Sequence, residues 1–96
     1  MANTITHAIE LAESLDSKDK LAELHTVVVT IERELIKAFG DPKDFFFSNH
    51  FRIITDAIAK LKKSSISMDE WDYNIDNIVA YLKEIKKRLS KIAEFV

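Results

Sequence analysis

Residues 71–96 read WDYNIDNIVAYLKEIKKRLSKIAEFV, and they carry the most regular apolar pattern in the chain. Large apolar side chains recur there at alternating spacings of three and four residues. The positions of this seam are Trp71, Ile75, Ile78, Leu82, Ile85, Leu89, Ile92 and Val96. A repeat of this kind brings the side chains to one face of an α-helix. The pattern predicts a long helix from about Ser67 to Phe95, with one face buried.

Three earlier segments show the same spacing. Their seam positions are Ile5, Ala8, Ala12 and Leu15 in the first, Leu21, Leu24, Val28, Ile31, Leu35 and Ala38 in the second, and Phe47, Phe51, Ile54, Ile58 and Leu61 in the third. Helices with such seams pack side by side at shallow angles. A chain of 96 residues with one glycine and one proline has too few turn residues for a many-stranded sheet. We predict an all-α fold, in which residues 1–96 form a single domain that is an antiparallel bundle of four helices.

Two of the boundaries between helices have clear signals. Gly40 can end the second helix in a left-handed conformation. Asp41 can then cap the third helix, with Pro42 at its first position, where the missing N–H costs nothing. Ser67, followed three residues later by Glu70, forms a capping box at the start of the fourth helix.

The boundary between the first and second helices is less marked. Leu15 and Leu21 are six residues apart, a spacing that the heptad repeat does not accommodate, and Asp16 or Ser17 could cap a new helix there. Neither glycine nor proline interrupts this region, so a single kinked helix from about residue 4 to residue 39 is the alternative. The bundle would then contain three helices.

The composition argues against several classes of protein. Without cysteine the chain has no disulfide framework, no thiolate nucleophile and no cysteine metal site. A net charge of −2 argues against a dedicated nucleic-acid binder, whose affinity comes from neutralising phosphates. The residues from Met1 to His7 lack the basic and apolar parts of a signal peptide, and no apolar run approaches the length of a membrane span. We therefore expect a cytoplasmic protein with no membrane contact.

The second and third helices carry apolar residues beyond their seams. The additional residues are Ala22, Val29 and Ile36 in the second helix and Phe46, Ile53 and Ala57 in the third. A helix in a small bundle needs one wide apolar stripe, and residues beyond it face water or a partner. We interpret these six residues as a partner interface. The alternative is that both helices are central and buried on two sides.

This interface is the basis of the predicted function. We expect a non-catalytic protein–protein interaction module, such as an adaptor, an assembly factor or a small inhibitor or immunity-type protein, that assembles as a homodimer or binds another protein. We expect no cofactor, no bound metal and no catalytic residue. No serine has the glycine neighbours of a nucleophile elbow, and no histidine has a glutamate three residues before it, as di-iron bundles require.

The runner-up function is catalytic. Glu10 and Glu13 form an E-x-x-E pair in the first helix, and Asp72 and Asp76 follow Asp69 in the fourth. This arrangement resembles a fragment of the pattern by which small all-α NTP pyrophosphohydrolases hold Mg²⁺ between facing helices, although the E-x-x-D partner motif is absent. The resemblance implies a Mg²⁺-dependent nucleotide hydrolase. Acids in a first helical turn that complement the helix dipole are the simpler interpretation.

A third function class, weak nucleic-acid binding, is suggested by a cluster of basic residues. The cluster consists of Lys83, Lys86, Lys87, Arg88 and Lys91, with Lys60, Lys62 and Lys63 near the preceding turn. These side chains could contact phosphates or an acidic partner. Charge is also expected on the polar face of any amphipathic helix, and no aromatic residues are interleaved with these lysines. We do not expect nucleic acid as a partner.

Aromatic residues are concentrated after Pro42. Phe45, Phe46, Phe47 and Phe51 follow it closely, and three consecutive helical residues span about 200° of the helix circumference. One of the first three rings should therefore point away from the core and could anchor a partner. The interpretation that we favour is that the rings fill one end of the bundle, since small cores depend on aromatic residues for buried area.

Overall fold

The computed structural model describes the backbone of residues 2–39 and 45–94 and the side chains of residues 4–38 and 47–91. Four α-helices make up most of this part of the chain: α1 is Ala2–Glu13, α2 is Leu21–Phe39, α3 is Phe45–Leu61 and α4 is Met68–Glu94. The predicted all-α fold is confirmed, and no described residue belongs to a strand. Over the same residues, no helix combines the length and apolar character that crossing a bilayer requires.

The helices form a ring in which each one contacts the two beside it. α2 packs against α1 and α3, and α4 packs against α3 and α1, so that α4 closes the bundle. The side chain of Lys18 donates a hydrogen bond to the backbone carbonyl of Lys63, which joins the α1–α2 connection to the α3–α4 connection. Both connections therefore lie at one end of the bundle, here called the loop end, and neighbouring helices run antiparallel. This is the predicted four-helix arrangement.

The core consists mainly of the predicted seams, to which Ile9 and Ala57 are added. Every seam position of α1 and α3 is buried, and in α2 only Ala38, near the end of the helix, is exposed. The seam of α4 is fully buried in its middle and partly buried towards its ends. The buried residues are Ile78, Leu82 and Ile85, and the partly buried ones are Trp71, Ile75 and Leu89. Ile92 and Val96 lie outside the described side chains.

α1 and α2 are separate helices, so the alternative of one kinked helix is wrong. α1 ends at Glu13, and Ser17 then has an extended backbone, with φ −151° and ψ 164°. A short 3-10 turn, Lys18–Lys20, leads from there into α2. The break lets both Leu15 and Leu21 reach the core, where they are 6% and 2% exposed. One straight helix could not bury both, because six residues rotate by about 240°.

The capping predictions have different outcomes at the three boundaries. Ser67 accepts a hydrogen bond on Oγ from the backbone N–H of Glu70 at 3.2 Å, as the capping box predicts for α4. Ser17 occupies the cap position of the 3-10 turn, but its side chain makes no capping hydrogen bond. Gly40, Asp41 and Pro42, which were expected to end α2 and start α3, lie outside the described residues.

Candidate interaction surface

The outer side of α2 retains accessible apolar residues. Ala22, Val29 and Ile36 follow one another at seven-residue spacing along this helix. Ala22 is exposed, Val29 is half-buried, and Ile36 is 43% exposed, which makes it one of the large apolar residues that the fold leaves accessible. Val29 and Ile36 line a shallow hollow together with Glu32 and Arg33. We call these five residues the α2 surface.

Two threonines beside the α2 surface make the outer side of the helix less polar than its sequence suggests. The hydroxyl of Thr26 donates to the carbonyl of Ala22 at 2.9 Å, and the hydroxyl of Thr30 donates to the carbonyl of Thr26 at 2.8 Å. Each hydroxyl therefore satisfies its donor within the helix itself. Covering this side of α2 with a partner would therefore cost less desolvation energy than covering threonines whose hydroxyls donate to water.

The residues predicted for the interface on α3 do not join the α2 surface. Ala57, which was assigned to a partner interface from the sequence, is only 4% exposed and belongs to the core, so it is not on an accessible face. Ile53 is half-buried, and the side chain of Phe46 lies outside the described residues. The ring of His50 meets the ring of Tyr81 of α4 edge-on, with centroids 5.0 Å apart and an interplanar angle of 80°.

The contact between His50 and Tyr81 shows which neighbouring helix the flank of α3 with His50 faces. His50, Ile53 and Ala57 are three and four residues apart, so they share one flank of the helix. The ring contact of His50 with Tyr81 turns that flank towards α4. For Ala57 of α3, therefore, burial within the bundle explains the additional apolar residue. For α2 it does not, because Ile36 remains accessible.

Two of the clustered phenylalanines belong to the core. Phe47 is 8% exposed and Phe51 is 2% exposed, and both pack with the buried aliphatic residues. This agrees with the interpretation that the rings fill the bundle interior. The side chains of Phe45 and Phe46 lie outside the described residues.

The four acids considered for a Mg²⁺ site are distributed along the surface between α1 and α4. Glu10 and Glu13 line a groove with three basic side chains of α4, namely Lys83, Lys86 and Lys87. Asp76 lines the next hollow with Glu13, and Asp72 lines a third at the loop end. Among the described residues, no group of three or more acidic or histidine side chains is placed to hold a metal ion. The fold does not bring the four carboxylates together.

The basic residues are also divided between two regions. Lys62 and Lys63 lie at the loop end, close to the start of α4. Lys83 follows Met68 by 15 residues, which places it about 22 Å further along the helix. The lysines of α4 therefore form a separate group, and three of them share their groove with Glu10 and Glu13. The single basic cluster that the sequence suggested is not present as one surface.

Sequence reasoning missed two exposed residues near the start of α4. Met68 is 74% exposed and Tyr73 is 66% exposed. Met68 lines the hollow at the loop end together with Leu15 and Trp71. The sequence contains a signal for Tyr73, because a residue two positions after the seam residue Trp71 is rotated by about 200° and points outward. No comparable signal marks Met68.

Compared with protein-family models, with curated proteins and with solved structures, the chain matches none of them.

Proposed function

We propose that this chain is a non-catalytic protein-interaction module, of the adaptor, assembly-factor or small inhibitor or immunity type, and that it binds through the α2 surface. The observation that carries the proposal is the exposure of Ile36, 43%, beside the hollow that it shares with Val29. Large apolar residues grouped on one helix face favour burial against another protein. A cytoplasmic location, expected from the sequence, is part of the same proposal.

The size of the apolar contribution supports this choice of surface. Burying the exposed part of Ile36, with the remainder of Val29, would contribute roughly 1–3 kcal/mol to binding at about 25 cal/mol per Å². The back-bonded hydroxyls of Thr26 and Thr30 lower the cost of covering the same side of the helix. The groove between α1 and α4 combines carboxylates with ammonium groups. A larger share of its lining is polar than in the hollow on α2.

The test is a pair of substitutions on α2 with a matched control. Val29→Lys with Ile36→Lys places two positive charges on the α2 surface. Ala59→Lys with Ala80→Lys adds the same charge at exposed positions of α3 and α4. We expect both double variants to keep the helical circular dichroism spectrum of the parent chain, because all four positions lie outside the fully buried core.

Capture of associated proteins from an extract of the source cells is then compared for the three chains. We expect the parent chain and the control variant to retain the same associated protein, or the same second copy of the chain, and the α2 variant to lose it. Retention by the α2 variant would overturn the proposal. Unfolding of that variant would also overturn it, since it would show that Val29 and Ile36 are structural.

A further inference from the structure

The start of α4 lies beside an open hollow because α1 is the shorter of these two neighbouring helices. α1 has 12 residues and α4 has 27, which gives lengths of about 18 Å and about 40 Å. The last residue of α1, Glu13, lies beside Ile75 and Lys83, so about two turns at the start of α4 extend beyond α1. Residues 15–18 lie against these turns and leave a hollow there, which we call the loop-end hollow.

The loop-end hollow has an apolar part formed by Leu15, Met68 and Trp71. Leu15 is buried, whereas Met68 is 74% exposed and Trp71 is half-buried. Trp71 belongs to the seam of α4, whose residues further along the helix are fully buried. The fold therefore leaves an indole ring and a thioether accessible in one hollow, and both groups make favourable contacts with a ligand over a large area.

The polar part of the loop-end hollow carries negative charge. Asp16, from the α1–α2 connection, and Asp72, from α4, both line it and are both exposed. Lys18 also lines it, but its ammonium group donates a hydrogen bond to the backbone carbonyl of Lys63. Among the residues that the structure describes, no ion pair involves Asp16 or Asp72. Two carboxylates beside an aromatic ring are therefore open to a cation from outside the chain.

We propose that the loop-end hollow binds an arginine side chain in a peptide segment of a partner protein, with an apolar residue next to that arginine. A guanidinium group is planar, so it can stack on the ring of Trp71 while its N–H groups donate to the carboxylates of Asp16 and Asp72. The apolar neighbour of the arginine packs on Met68. An acidic or uncharged segment lacks the charge that complements the two carboxylates.

Binding at this hollow should be weak and sensitive to salt, because the hollow is open to water. Contacts between exposed charges are weakened by solvent and by ions, and a cation on an exposed aromatic ring adds a contact of similar size. For a short peptide we expect a Kd of about 0.1–1 mM at low salt, and a Kd at least about threefold higher at about 0.5 M salt.

The first experiment uses Trp71 as a reporter. It is the one tryptophan in the sequence, so its indole N–H gives a single NMR resonance that comes from the hollow itself. The probe is the peptide acetyl-Leu-Arg-Leu-amide, titrated into the ¹⁵N-labelled full chain. We expect a saturable shift of this resonance, with a Kd at least about fivefold lower than for acetyl-Leu-Gln-Leu-amide.

Two outcomes of this titration would overturn the proposal. One is the absence of a saturable shift with the arginine peptide up to about 5 mM. The other is an equal Kd for the arginine and glutamine peptides, which would mean that charge does not contribute to binding.

The second experiment removes the two carboxylates. Asp16→Asn with Asp72→Asn should raise the Kd of the arginine peptide about tenfold. Asp19→Asn with Asp69→Asn makes the same change of net charge at nearby exposed positions outside the hollow, and its Kd should stay within about twofold of the parent chain. Equal weakening in both double variants would show a general effect of net charge and would overturn the site. The comparison of the two peptides on the parent chain decides the matter if a variant does not fold.

The third experiment tests the apolar contact. Met68→Ala should raise the Kd of the arginine peptide about threefold, because it removes the exposed thioether from the hollow. Tyr73→Ala is the matched control, since Tyr73 is 66% exposed and does not line the hollow, and it should leave the Kd unchanged. An unchanged Kd for Met68→Ala, or an equal loss for Tyr73→Ala, would overturn the apolar part of the proposal.

This inference does not rest on the proposed function, because the loop-end hollow shares no residue with the α2 surface. Val29→Lys with Ile36→Lys should therefore bind the arginine peptide within about twofold of the parent chain. Loss of peptide binding in that variant, while it stays folded, would place the peptide on α2 and overturn the assignment to the hollow. Failure of all the peptide titrations would leave the proposed role of the α2 surface untouched.

Discussion

α2 and α4 each bury a seam of regularly spaced apolar residues, but they differ in how extensively they pack and in how polar they are. α4 packs against its two neighbours more extensively than any other helix, and yet it is the most polar of the four. α2 makes fewer contacts within the bundle and is more apolar. A helix can therefore pack extensively with few apolar residues, and α2 carries an apolar residue, Ile36, that the bundle leaves exposed.

The largest expected effect comes from shortening a seam residue in either helix. Ile31 of α2 and Ile85 of α4 are both 0% exposed, so Ile31→Ala and Ile85→Ala should each lower the free energy of unfolding by about 2–5 kcal/mol. Ile36→Ala, on the outer side of α2, should lower it by less than about 1 kcal/mol. Urea unfolding followed by circular dichroism measures all three.

The difference between the seam and the outer side of α2 rests on a small loss of stability for Ile36→Ala. A loss for Ile36→Ala as large as that for Ile31→Ala would mean that the outer side of α2 is part of the core.

An intermediate effect is expected at the buried polar residue of α4. Asn74 is 5% exposed, and its side-chain amide donates to the carbonyl of Glu70 at 2.8 Å. Asn74→Asp removes this donor and buries a carboxylate, so we expect a loss of about 1–3 kcal/mol at neutral pH. Asn77→Asp, at a more accessible position of the same helix, is the matched control and should cost less. Thermal unfolding of the two variants gives the comparison.

Asn74→Leu separates the role of the amide from the role of burial. The carbonyl of Glu70 also accepts a hydrogen bond from the helix backbone, so replacing the amide by a side chain of similar size should change the stability by less than about 1 kcal/mol. A loss as large as that of Asn74→Asp would show that the amide itself is required.

The smallest effect concerns the starts of the two helices. Ser67→Ala removes the hydroxyl that caps α4 and should cost about 1 kcal/mol. Ser17→Ala, before the 3-10 turn that leads into α2, should cost almost nothing, because the side chain of Ser17 makes no capping hydrogen bond. Equal losses in urea unfolding would show that the first turn of α2 depends on Ser17 in solution.

Much of the bundle is predictable from apolar spacing, as the seam of α3 illustrates. Phe47, Phe51, Ile54, Ile58 and Leu61 follow a helical repeat, and all five are buried. Spacing assigns residues to a face because the rotation per residue is a local property of the helix. The hydrogen bond that caps α4 is predictable for the same reason, since Ser67 and Glu70 are three residues apart.

The candidate site was predictable only in part. Val29 and Ile36 were assigned to an accessible flank and are found there, whereas Ala57 was assigned to a similar flank and is buried. The two flanks look alike in sequence because both lie beside a seam. They differ because the flank of α3 that carries His50 turns towards Tyr81 of α4.

The repeat of apolar residues, a property of neighbouring positions, was enough to predict an all-α chain and the stripe that each helix buries, but it left open whether the first two helices are separate. The positions of those helices around the bundle depend on contacts between residues that are distant in sequence. These contacts cover one flank of α3, leave α2 with an open surface, and separate the acids and lysines that a linear reading had grouped. The rotation per residue within a helix does not specify which neighbouring helix covers a given flank. Which flanks are covered could therefore be determined only from the tertiary structure.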